Sequence, residues 1–321
     1  MSETPDLHPF HQWVNAARPR GELWRTIIGT LIIVGAWIGW TLLLMLVAIG
    51  GGLISRDALG AVLGASYSTL GYWDTIIALL VALGTIWGFA IGVWLAVKFL
   101  HARQLDTVVS WDRRFSLREF GVGCFLALIY LIASIVISAV TGHLPRRSNV
   151  DIDQWLLSLG PIAVVIFLQG TSEELVFRGY LPQQLAARFR NPLAWGLLPS
   201  IVFGTMHAGN MPGDPSFMPF LIISATVLGL VMMATVWRTG SLAAAMGLHF
   251  VNNVVALTVA GSDSGSSTVA LFVWSPGEMM NTASADLLVM GLLLAFVLSP
   301  WAPLPKKAQP LARRNETRAA P

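Results

Sequence analysis

A chain of 321 residues that is 55% hydrophobic and 12% charged, with mean hydropathy +0.67, has the profile of a polytopic membrane protein. In such proteins apolar runs of about 20 residues cross the bilayer as helices. No polar region is long enough to fold as a separate soluble domain, and a net charge of +3 gives no argument for a nucleic-acid partner. The lone Cys124 excludes an intrachain disulfide and a cysteine-based metal site, and reads as a small packing residue.

Residues 1–25 are polar and lack the apolar stretch and cleavage site of a secretory signal. They are expected to form a cytoplasmic N-terminal segment, with the first span as an uncleaved anchor. Eight spans are predicted, near 26–54, 75–100, 119–142, 155–182, 192–209, 216–237, 241–260 and 283–303, so residues 26–303 form an all-α transmembrane domain. Gly35 and Gly39 in the first span, and Gly84, Gly88 and Gly92 in the second, put small residues on one face for close helix packing. Pro199 interrupts the short fifth span, a break that neighbouring helices can accommodate. The 261–282 stretch, opening Gly-Ser-Asp-Ser-Gly-Ser-Ser, reads as a flexible external connection. The tail over 304–321 is expected to be disordered and cytoplasmic, its basic residues close to anionic lipid.

Sixteen Lys and Arg residues fall on one side of these spans, against Arg56, Arg146 and Arg147 on the other, with Arg178 at a membrane edge. The positive-inside rule then puts both termini in the cytoplasm, as an even span count also requires. The chain is expected in the inner (plasma) membrane, with the lipid bilayer and a membrane protein or peptide substrate as its partners.

The fourth span carries Glu173 and Glu174, the only acids placed well inside the predicted spans. A charge in hydrocarbon costs roughly 2.5 kcal/mol or more, so such acids mark functional sites by default. Glu174 and Arg178 are four apart and share a helix face, whereas Glu173 points about 100° away. Glu174 therefore reads as the paired, structural acid and Glu173 as the working one. Phe203 and His207 share a face of the fifth span, as do His249 and Asn253 on the seventh. Singly, each group has a plain reading: a buried ion pair, a satisfied packing histidine, an interhelical hydrogen bond. Together they supply a general base, a second proton-handling group, oxyanion donors and potential metal ligands. On straight helices His207 falls about 9 Å further outward than the rest, which a tilted or re-entrant fifth helix would correct.

Glu173-Glu174-x-x-x-Arg178, Phe203-x-x-x-His207 and His249-x-x-x-Asn253, in this order on separate membrane helices, resemble the three motifs of the CPBP family of intramembrane proteases. That family includes the Ras-converting-type CAAX prenyl endopeptidases and bacterial proteins associated with bacteriocin processing or self-immunity. The resemblance spans about 155–258, the expected catalytic core. It implies an endopeptidase acting on membrane-associated or CAAX-like protein substrates. Carried over, Glu173 with His207 activates water, His249 with Asn253 stabilises the oxyanion, and Glu174, Arg178 and Phe203 support the site. The favoured mechanism is glutamic and needs no metal. Zinc is the alternative cofactor, with His207, His249 and Glu173 as its ligands. A non-catalytic immunity or scaffold protein and a proton-coupled transporter are the rival functions.

Overall fold

The computed structural model describes residues 8–64, 67, 69–208, 217–263 and 269–304. The expected disordered tail lies almost wholly outside these residues, as does much of the Ser/Gly-rich run after Gly261. In chain order the helices are α1 (Pro9–Asn15), α2 (Leu23–Gly50), α3 (Arg56–Val62), α4 (Tyr72–Thr85), α5 (Gly88–Leu95), α6 (Asp106–Val109) and α7 (Leu117–Val140). They continue with α8 (Ile152–Glu174), α9 (Leu181–Arg188), α10 (Leu198–Met206), α11 (Met218–Thr239), α12 (Ala243–Val254) and α13 (Pro276–Leu298). Short π-helical segments extend α5, α8 and α12 at their C-terminal ends and precede α10.

Six helical stretches among the described residues are long and apolar enough to cross a membrane: Leu23–Gly50, Tyr72–Leu100, Leu117–Val140, Ile152–Arg188, Met218–Thr239 and Gly277–Leu298. Two shorter apolar helices, Leu193–Met206 and Ala243–Val259, join them. These eight follow the eight predicted spans in order, and the protein is an all-α polytopic membrane protein. The seventh is short because it is enclosed: every residue from Ala243 to His249 is buried. By contrast α2 turns a broad apolar face outward, including Leu31, Leu42 and Leu46.

Glycine sets the closest helix approach. Gly123 on α7 lies against the Ala244 backbone and Gly247 on α12 against the Phe120 carbonyl, so a Cβ at either position would overlap main chain. Gly88 and Gly92 fit in the same way against Trp37 and Ile33 of α2, as the glycine spacing predicts. Gly35 and Gly39 do not. Both face open space, because the packed side of α2 is the one bearing Ile33 and Trp37.

The connections sort to two ends of the bundle. At one end α1 buries Phe10, Trp13 and Val14; Trp13 Nε1 donates to the Val108 carbonyl (2.8 Å), and Gln183 Nε2 donates to the Trp13 and Thr107 carbonyls (2.9 and 2.7 Å). Trp111 N–H donates to the Gly240 carbonyl (2.9 Å), and Arg238 to the Ser299 carbonyl (2.6 Å). At the other end lies a small sheet of β1 (Arg146–Arg147), β2 (Ala260–Ser262) and β3 (Phe272–Trp274), in which β3 pairs antiparallel with β1 and parallel with β2. Arg146 also pairs with Asp263.

This sheet corrects the reading of 261–282 as one flexible connection, and the eighth helix begins earlier than predicted. Ser275 and Glu278 form a reciprocal capping box that starts α13 at Pro276. The polar Asn281, Thr282 and Ser284 depress hydropathy there and hide the first turns. As a result Asp286 lies about 15 Å along α13, well inside it. Glu173 and Glu174 are therefore not the only acids deep in the spans.

Candidate active site

The site is assembled from α8, α10 and α12. Glu173 and Glu174 end α8, and the helix widens into a π segment, Leu175–Tyr180, that carries Arg178. Such local widening often accompanies functional sites. Arg178 Nη1 donates to Glu174 Oε1 at 3.0 Å, with both side chains fully buried. The guanidinium carbon stands 3.9 Å from the centre of the Phe203 ring, a cation–π contact in a dry setting. Gly229 on α11 makes room for it: a Cβ there would come within 2.9 Å of Arg178 Nη2.

From α12, His249 Nδ1 bonds Glu174 Oε1 at 2.7 Å, while Nε2 lies 3.5 Å from Glu173 Oε2. One imidazole thus lies between two carboxylates, anchored by one and facing the other. Gly170, one turn before Glu174, lies beside the His249 ring, and a Cβ there would be in ordinary contact with it at 3.5 Å. The side chain of Glu173 is 10% exposed and Glu174's is 0% exposed, and Glu173 Oε2 makes no hydrogen bond among the described residues. Glu174 is tied to two partners by hydrogen bonds, whereas among the described residues Glu173 Oε2 has only the His249 ring facing it at 3.5 Å.

Asn253 Nδ2 donates to Gln169 Oε1 at 3.1 Å, and Asn252 Nδ2 donates to Asn253 Oδ1 at 3.2 Å. Gln169 is buried four residues before Glu173, so one face of α8 supplies both the acid and the residue that orients Asn253. Sequence reasoning missed Gln169. The available signal was an amide in an apolar span, in phase with Glu173. The Asn252 amide joins the site by holding that of Asn253.

His207 is the cap residue after α10. Its Nδ1 lies 2.8 Å from the Phe203 carbonyl, and its ring packs on Phe203 with centroids 4.5 Å apart. Phe203 also contacts the His249 ring edge-on at 5.9 Å. Among the described residues no hydrogen bond joins His207 to Glu173 or Glu174, so Phe203 separates the two histidines. No group of three or more His, Cys, Asp or Glu able to hold a metal ion occurs among the described residues. Glu173, His207 and His249, the set a zinc site would draw on, do not converge as such a group.

Residues 155–255 match the family model for type II CAAX prenyl endopeptidase Rce1-like proteins. Over this segment the chain is similar to that family. The match encloses every residue of the cluster just described, and it supports a CAAX-type intramembrane protease at the level of the family. The chain is also similar to the "Uncharacterized protein YyaK" of Bacillus subtilis (strain 168), with 29% identity over 253 residues, covering 76% of this chain and 80% of the relative. No solved structure matches it.

Proposed function

We propose that this protein is a glutamic-type intramembrane endopeptidase, with 155–258 as its catalytic core. The observation that carries the reading is the His249 imidazole, fixed by Glu174 on one nitrogen and facing the freer Glu173 with the other.

In the proposed reaction Glu173 accepts a proton from a water molecule as its oxygen attacks the scissile carbonyl carbon. The developing oxyanion accepts hydrogen bonds from His249 Nε2–H and from the Asn253 Nδ2–H that Gln169 leaves free. As the intermediate collapses, the C–N bond breaks and the leaving amine takes the proton held by Glu173. His207 is the second proton-handling group. Its ring packs on Phe203, which also contacts the His249 ring.

The substrate class is a membrane-associated or CAAX-like protein, and the proposed setting is the inner (plasma) membrane with both termini cytoplasmic. The test is a comparison of membrane proteomes from cells expressing wild type or Glu173→Gln at equal levels. Uncleaved termini should accumulate in the variant. Identical sets of termini would remove the protease reading.

A further inference from the structure

A second polar site lies beside the first, within the membrane-spanning region. A cavity of about 160 Å³ opens between α7, the C-terminal part of α12, β3 and α13, and its walls include Tyr130, Ser134, Asn252, Trp274, Thr282 and Asp286. Asp286 is its one charged lining residue. The hydroxyls of Ser134 and Thr282 flank this carboxylate, and no Lys, Arg or His among the described residues pairs with it. An unpaired acid deep in a membrane helix is costly, and its usual role is to meet a functional partner. The catalytic cluster does not use Asp286.

The chemistry of the walls defines that partner. A carboxylate supplies charge, hydroxyls add acceptors, and the Tyr130 and Trp274 rings can present π faces to a cation. The volume is well below the ~300 Å³ at which drug-sized pockets begin, and corresponds to roughly five water molecules. It suits one cationic group on an apolar stem. Asn252 connects this cavity to the catalytic cluster, since its side chain lines the cavity and donates to Asn253.

We infer that this cavity is an ammonium-binding subsite, in which Asp286 receives an alkylammonium group one hydrogen-bonded residue away from Asn253. The inference rests on the protease reading only in assigning the ammonium to a substrate; binding itself does not depend on catalysis. A basic side chain of a membrane peptide and an ethanolamine lipid headgroup share this chemistry.

The test is binding to the purified full chain in nanodiscs, read by tryptophan emission and by calorimetry. The probes are n-hexylammonium, an apolar peptide with one lysine, and the same peptide with norleucine in its place. The first two should bind, and norleucine should abolish peptide binding. Asp286→Asn should weaken both at least tenfold, as expected when a charged partner is lost. Trp274→Leu should weaken them without touching the acid, which covers the case of a poorly folding Asp286 variant. Glu173→Gln should bind as wild type, so a failure of the protease reading would leave this result standing. Nanodiscs with and without phosphatidylethanolamine separate the sources: competition by that lipid assigns the site to a headgroup, and its absence to the peptide. Equal affinity of wild type and both cavity variants for n-hexylammonium, or no binding at all, would overturn the inference.

Discussion

Removing the charge of Glu174 tests the division of labour between the two glutamates. Arg178 is fully buried, and Glu174 Oε1 at 3.0 Å is its one side-chain hydrogen-bond partner among the described residues. The same oxygen also holds His249 Nδ1 at 2.7 Å. Glu174→Gln keeps the volume but leaves the guanidinium without a counter-ion in a dry setting, where stranding one member of a buried pair costs about 3–5 kcal/mol. At roughly 2–4 °C per kcal/mol the melting temperature should fall by about 6–20 °C. Glu173→Gln alters a group with no hydrogen bond at Oε2 and with some exposure, so its change should stay within about 1 kcal/mol, the usual range for a substitution that breaks no buried network. Thermal melts in detergent, with matched purification yields, read both. Equal destabilisation by the two changes, or a silent Glu174→Gln, would refute the reasoning.

Other outcomes follow from the same geometry. Asn253→Ala should lower turnover about 10²–10³-fold with little change in apparent substrate affinity, as for loss of an oxyanion donor. Gln169→Leu and Asn252→Ala should each lower it less, because they orient Asn253 without replacing it, and a larger effect of Asn252→Ala would invert the assignment. Burial, aided by repulsion from Arg103, holds His101 down to about 4, and its neutral ring bridges the Arg20 carbonyl and the Tyr180 hydroxyl. Since the unfolded chain takes up that proton near pH 6.5 and the folded chain only near 4, stability should fall as pH drops through this window, and the slope should flatten in His101→Gln. Purified protein is expected to lack stoichiometric zinc. One zinc per chain, with activity lost on stripping and regained on addition, would overturn the glutamic mechanism.

The spans were legible because hydropathy over 20 residues is a strong signal, and the catalytic candidates because acids and histidines are rare in such segments. Helix phase alone separated Glu174 from Glu173, because residues one apart on a helix point about 100° from each other. What failed depended on tertiary context. The capping box at Ser275 was masked by polar residues around it, which also hid the depth of Asp286. Gly35 and Gly39 have the right spacing on the wrong side of α2. The docked α1 lies in a segment that is polar on average, although Phe10, Trp13 and Val14 are buried. Gln169 and Gly229 act only through neighbours from other helices, which one helix's periodicity does not reveal.

The central claim is that Glu173 performs peptide hydrolysis. Its most direct test is reconstitution of purified wild type and Glu173→Gln in lipid vesicles with a mixture of membrane-spanning peptides, followed by mass spectrometry of new termini. The account predicts new termini with wild type, none with Glu173→Gln, and no acyl-enzyme adduct in either. Cleavage that persists in Glu173→Gln, or a covalent adduct on the wild-type chain, would contradict it.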